Sequence, residues 1–385
     1  MYIHELEKWP HFRWDEQRLA GLLGLVRHQQ GRLLGRMEAL GLGLRAEAGF
    51  ATLTQDVIKT SEIEGEILGT DQVRSSLARR LGMDIGGPVP ADRHVDGVVE
   101  MMLDATRNYA RPLDAERLFG WHAGLFPTGY AGMVRIPAGM WRDDKAGPMQ
   151  VVSGPMGKEW VHFEAPAAAR VAGEMERFLE WFNAANGNDA VLNAGIAHLW
   201  FVTVHPFADG NGRMARAIAD MALARSEGSG QRFYSMSAQI REERDAYYAV
   251  LEATQKGELD ITQWLEWFLN CLSRAFAGAE GTLGAVLGKA RFWERHAGAE
   301  LNERQRAIIH RLLNGFEGKL TSSKWAKIAK CSADTALRDI QELVRLGILQ
   351  KDAAGGRSTS YALVTMDGAK RHGVAAARIV SWRCF

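Results

Sequence analysis

His205-Pro206-Phe207-Ala208-Asp209-Gly210-Asn211-Gly212-Arg213-Met214-Ala215-Arg216 is the stretch on which the reading of this chain turns. A helical pattern ends near Val204, a tight loop follows, and a new helix begins near Gly212. Gly210-Asn211-Gly212 leaves a backbone free to turn its N–H groups inward. Those amides beside a helix N-terminus make an anion site. Arg213 and Arg216 are three residues apart, hence on one helix face, where both can reach phosphate oxygens. Asp209 is a hard oxygen ligand beside that site, as Mg²⁺ on a polyphosphate requires. His205, at the loop entrance, is the residue type suited to a general base near neutral pH. A base, a metal ligand, an anion nest and two arginines within one short run read as phosphoryl or nucleotidyl transfer.

The run fits HxFx(D/E)GNGRxxR, the motif of the Fic family, at every fixed position, and the chain resembles that family there. The resemblance implies an α-helical Fic core. For most members it also implies transfer of AMP from ATP to a Tyr, Ser or Thr hydroxyl of a protein. By the same resemblance, His205 deprotonates the target hydroxyl and Asp209 holds Mg²⁺ on the α- and β-phosphates. Gly210, Asn211 and Gly212 line the phosphate nest, Arg213 binds the β-phosphate region and Arg216 the γ-phosphate. Phe207 anchors the loop in the core.

Three further segments bear on this site. Thr60-Ser61-Glu62-Ile63-Glu64-Gly65 resembles the family's inhibitory motif, (S/T)xxxE(G/N), with Thr60, Glu64 and Gly65 at the fixed places. A carboxylate there can pair with Arg216, remove that cation from the γ-phosphate and repel ATP into a non-productive pose. Glu64 could instead orient a water for hydrolytic removal of AMP, which leaves a bifunctional enzyme open. The β-prone runs around a Gly/Pro turn at Met149–Phe163 read as a hairpin. They resemble the family's flap, which would hold a target segment by strand addition. Tyr247, Tyr248 and Gln255 fall where similar proteins contact adenine; either Tyr could equally pack in the core.

Working outward, the fold class is mainly α: a Fic-type helical core with a β-hairpin flap, plus a C-terminal winged helix-turn-helix domain. Helices are expected at 15–40, 46–62, 71–81, 93–109, 114–125, 167–183, 189–204, 213–226, 242–256 and 260–276, with one more running to about 296. Gly86-Gly87-Pro88-Val89-Pro90 is a breaker cluster and a hinge candidate. The expected domains are 1–90, helical and carrying the inhibitory motif; 91–298, the catalytic core; and 299–385. Trp9-Pro10-His11-Phe12-Arg13-Trp14-Asp15 resembles the opening of an uncharacterised domain that often precedes such a core, and its aromatics read as packing residues.

Residues 301–385 carry 15 Lys/Arg against 7 Asp/Glu, while the first 300 carry 32 against 39. A basic C-terminal module on an acidic body points any polyanion to that end. There, helices at 303–313, 322–330 and 332–346, with Ser322 and Ser332 as N-caps, precede two short strands around Gly355-Gly356-Arg357-Ser358. Ser332, Asp334, Thr335 and Arg338 would face a major groove, and Lys324, Lys327, Lys330, Lys351 and Arg357 the phosphates. Asp334 and Asp339 count against DNA, and winged helices also dock proteins. A DNA-binding regulator whose Fic core is only a sensor is therefore the alternative to an enzyme. A homodimer is expected from the resemblance.

Whole-chain charge is +1 and names no partner. Cys271, Cys331 and Cys384 are odd in number and far apart, which argues against a disulfide framework or zinc site and suits a reducing cytoplasm. The N-terminus lacks the basic patch and apolar run of a signal peptide. The stretch Ala190–Ala208 has no formal charge. Asn193, His198, Thr203 and His205 make it a buried core helix rather than a membrane span.

Overall fold

The helical recurrence of Leu19, Val26, Leu33 and Met37 produces α1 (Glu16–Glu38), whose N-cap Asp15 accepts the Arg18 N–H. The computed structural model describes residues 1–85, 87–145, 147–155, 158–313, 316, 318–352, 359–364 and 382–384. After α1 come α2 (Leu42–Ile63), α3 (Thr70–Leu81), α4 (Arg93–Arg107) and α5 (Ala115–Leu125). Two short strands, β1 (Tyr130–Ala131) and β2 (Val134–Arg135), precede the hairpin of β3 (Gln150–Ser153) and β4 (Trp160–Glu164). The central helices follow: α6 (Ala168–Asn183), α7 (Ala190–Val204), α8 (Asn211–Glu227), α9 (Met236–Glu242), α10 (Arg244–Gln255) and α11 (Thr262–Arg295). The C-terminal elements are α12 (Glu303–Leu313), α13 (Ser322–Ile328), α14 (Ala333–Arg345), β5 (Leu349–Lys351), β6 (Tyr361–Leu363) and β7 (Trp382–Cys384). The described residues are mostly helical, as the sequence patterning demands.

Several boundaries differ from the sequence reading for physical reasons. Gly41 is the N-cap residue of α2, so that helix begins four residues earlier than expected. The pattern at 242–256 is preceded by a separate short helix, α9, capped by Ser235 accepting the Ala238 N–H. The two helices expected from 260 to 296 are one 34-residue helix, because no Gly in that run adopts a positive φ. Thr321, not Ser322, caps α13 through the Lys324 N–H. Ser332 does cap α14.

Contacts divide the chain into two units: Met1–Met83, Pro88–Gly284 and Arg378–Phe385 in one, Asp84–Gly87 and Ala285–Ala377 in the other. The first unit centres on α7 and α8, both buried along nearly their whole length. Trp9 packs edge-on to Phe12 and Trp200, and its indole N–H donates to Glu174 Oε2 (2.9 Å). The N-terminal aromatics thus close the core. No helix among the described residues is long and apolar enough to cross a membrane.

In the second unit, Ile308, Ile309, Trp325, Ile340, Leu343 and Ile348 form a separate core. Three helices lead into the antiparallel pair β5–β6, Leu349 opposite Leu363. Asp339 is buried and accepts from Asn302 Nδ2 (3.0 Å) and Arg304 Nε (3.0 Å). It is thus paired inside the unit, not offered to a groove as its place on α14 suggested. The Gly355–Ser358 turn with Arg357, and Gly86 of the breaker cluster, lie outside the described residues.

Candidate functional site

The site is built where three helix ends meet: the C-terminus of α2, the C-terminus of α7 and the N-terminus of α8. His205 ends α7 in the left-handed region (φ 51°, ψ 57°). That conformation turns the chain sharply into the loop. Asn211 Oδ1 accepts the Phe207 N–H (3.0 Å) and its Nδ2 donates to the Phe207 carbonyl (2.8 Å). The Asn211 side chain thus braces the loop, so only its main-chain N–H faces the expected anion role. Phe207 is fully buried, with its ring stacked on His122 at 4.3 Å between centroids.

Gly210 has φ +78°, and a methyl group there would lie 2.9 Å from the Phe126 ring and 3.2 Å from Leu125. Only glycine satisfies both the backbone and the close wall. Gly212 has a different reason: a methyl group there would clash with Glu64 Oε1. The Glu64 carboxylate therefore lies against the first turn of α8, the place an anion is drawn to by N–H groups and helix dipole.

Glu64 reaches that position because of how α2 ends. Gly65, at φ +86°, lets the Gly65 N–H donate to the Glu62 carbonyl and the Glu66 N–H to the Ser61 carbonyl (3.1 and 3.0 Å). This is a Schellman turn, with Glu64 as its C-cap. Buried Arg244 donates through Nε to the Ile63 carbonyl (2.8 Å) and secures the helix end. Arg216 then reaches across from α8. Its Nη2 donates to Glu64 Oε1 (2.7 Å) and to the Thr60 carbonyl (2.9 Å), and its Nε to Thr60 Oγ1 (2.8 Å). Burial alone would lower the Arg216 pKa, but the Glu64 charge outweighs it and the guanidinium is held more firmly protonated than usual.

His205 is fully buried. Its Nδ1–H donates to the Val202 carbonyl (3.1 Å), which leaves Nε2 as the basic nitrogen. Burial, with the Arg142 charge assisting, lowers its pKa to about 4. The ring is therefore neutral near pH 7. Arg142 was not singled out in the sequence, yet it ties the loop down. Its N–H donates to the Pro206 carbonyl and its Nε to the His205 carbonyl (3.0 and 2.8 Å).

Asp209 accepts the Gly210 N–H (2.5 Å), and burial raises its pKa, assisted by Glu64 and Glu66 and opposed by Arg213. One carboxylate beside an anion nest fits Mg²⁺, which keeps only one or two protein ligands and takes the rest from phosphate and water. Among the described residues no group of three or more His, Cys, Asp or Glu could hold a metal alone.

A cavity of about 70 Å³ joins Glu64, His205, Gly212, Tyr247, Tyr248 and Gln255. Tyr247 is buried, with its hydroxyl 2.8 Å from His198 Nε2. Tyr248 is half-buried, its hydroxyl 3.5 Å from Glu64 Oε2. Gln255 Nε2 donates to Thr203 Oγ1 (3.2 Å). That volume is below the roughly 300 Å³ of a typical small-molecule site. A groove of about 590 Å³ between α3, α4 and α5 is larger, but it carries none of these residues.

The β3–β4 hairpin forms the other wall, contributing Val151, His162 and Phe163. His162 Nδ1–H donates to Glu252 Oε2, and Ser153 Oγ lies 2.7 Å from its Nε2. The far edge of β3 is not open: β7 pairs with it, Val152 opposite Arg383.

These features define a helical domain with a loop-to-helix anion nest, two buried arginines and a neutral histidine. Residues 112–223 match the Fic/DOC family model, so the chain carries a Fic domain over that stretch. Residues 2–83 match a domain of unknown function, DUF4172. The chain is 30% identical over 111 residues to the protein adenylyltransferase Fic of Drosophila mojavensis, and 29% identical over 111 residues to that of Drosophila melanogaster. Each match covers 28% of this chain, but only 20% and 21% of those relatives' lengths. A Fic family protein from Desulfovibrio desulfuricans aligns over 91% of this chain and 97% of its own, at 22% identity and a TM-score of 0.49.

Proposed function

We propose that this chain is a Mg²⁺- and ATP-dependent protein adenylyltransferase held off by Glu64. The observation that carries the reading is the Glu64 carboxylate lying at the α8 N-terminus and bonded to Arg216. With Glu64 displaced, Gly210–Gly212, Arg213 and Arg216 receive the triphosphate. His205 Nε2 accepts the proton of a target hydroxyl while its oxygen bonds to the α-phosphorus. The bond from that phosphorus to the bridging oxygen breaks, and pyrophosphate leaves. Mg²⁺, held by Asp209, would neutralise charge on the phosphates. A target strand adding to the flap at β3 has first to displace β7.

The choice of bond broken is directly measurable. The Glu64→Gly protein, incubated with Mg²⁺ and cell lysate, should add protein label above a no-enzyme control from α-³²P-ATP and none above it from γ-³²P-ATP. Label from the γ position would mean phosphoryl transfer instead.

For the second unit we propose DNA binding through α14, since Asp339 is paired with Arg304 and Asn302 while Arg338 stays exposed. Arg338→Ala should weaken binding of the full chain to duplex DNA about 10-fold at low salt, read by fluorescence anisotropy. No binding by the parent protein at low salt would end this proposal.

A further inference from the structure

The Schellman turn at the end of α2 places a second carboxylate two residues past Glu64, and it too ends on an arginine of the anion nest. Glu66 Oε2 accepts from Arg213 Nη1 at 2.6 Å. The Arg213 side chain is 3% exposed, its guanidinium lies over the Phe126 ring (5.2 Å), and its Nε has no partner. The same Glu66 oxygen lies 3.1 Å from His94 Nε2, and His94 Nδ1 lies 2.8 Å from the Leu125 carbonyl. Both nitrogens of that ring thus face acceptors, an arrangement satisfied when both carry protons. Glu66 sits between Arg213 and His94, within hydrogen-bond distance of both.

We propose that Glu66 is a second brake: it occupies Arg213 as Glu64 occupies Arg216, so that the turn after α2 masks both nest arginines at once. The proposal rests on the reading above, in which the nest takes a nucleotide polyphosphate. Arg213 stands one turn nearer the start of α8 than Arg216, so it serves the phosphate closer to the nest. A diphosphate entering the nest has to take Arg213 from Glu66 even when Glu64 is gone. The burial of Arg213, with one N–H orphaned, argues that its place is kept for an anion rather than for solvent. The only thread joining the two glutamates is Gly65, so movement of one turn frees both arginines.

Binding of AMP, ADP and ATP to the full-length protein separates this role from a structural one. Isothermal titration would compare wild type, Glu66→Gln, Glu66→Ala and Glu64→Gly. A charged hydrogen bond at a half-exposed carboxylate supports a gain of about 3- to 10-fold. Both Glu66 variants should tighten ADP and ATP by that factor and leave AMP unchanged, whereas Glu64→Gly should act on ATP more than on ADP. Unchanged ADP affinity in both Glu66 variants would overturn the proposal. So would weaker ADP binding, which makes Glu66 a support for Arg213, or equal tightening of AMP, which means general loosening. The readout is binding alone. A Glu64→Gly protein that binds ATP but transfers nothing would therefore sink the transferase reading without deciding the role of Glu66.

Discussion

In a Glu64→Gly background, replacing His205 should lower AMP transfer about 10²- to 10⁴-fold, the usual worth of a positioned general base. The ring is buried and neutral, and its Nδ1–H is committed to Val202, so Nε2 is the nitrogen left to take a proton. The backbone at His205 is left-handed, where alanine is strained and asparagine is tolerated. His205→Asn is therefore the cleaner variant, and His205→Ala a check on it. Each should still bind ATP. The sign of the pH effect follows from burial. A base whose pKa is lowered to about 4 stays unprotonated as pH falls through 6.5. The acid limb of kcat/KM should accordingly lie well below pH 6.5. A limb centred at 6.5 would show that burial does not lower the pKa of the base.

Gly97→Ala should destabilise the first unit by about 3 kcal/mol, since overpacking a fixed backbone contact costs at this level or above. A methyl group on Gly97 would overlap the Gly124 carbonyl, so α4 and α5 cross at backbone contact. Neither side is a flexible chain end that can swing away. The consequence reaches the site, because α5 leads into Leu125 and Phe126, the wall beneath Gly210 and Arg213. Thermal unfolding followed by circular dichroism should show the midpoint fall by roughly 5–10 °C. A change of a degree or less would mean that the two helices can part at little cost.

How much of this was legible in the sequence depends on the range of the interaction. The loop from His205 to Arg216 is local, so its glycines, histidine and arginines are brought together by their closeness in sequence. The end of α2 is also local: Gly65 after a helical run marks the turn, and the turn determines where Glu64 stands. The partner of Glu66 was not legible, because Arg213 lies far along the chain and no periodicity connects them. The same holds for Arg142 on the His205 loop, for His162 with Glu252, and for β7 on β3. Asp339 misled for the complementary reason. A charged residue on an amphipathic helix reads as exposed, and only the tertiary pairing with Arg304 reverses that. The β1–β2 pair escaped notice because two residues per strand carry no alternation.

We propose that loss of the Glu64 carboxylate is enough to turn an idle nest into a working one, with Glu66 only weakening nucleotide binding further. The most direct test is α-³²P-AMP incorporation into protein by wild type and Glu64→Gly at equal enzyme, Mg²⁺, ATP and lysate. The variant should label protein strongly and wild type only weakly. Equal labelling by the two, or none by either while ATP is bound, would contradict it.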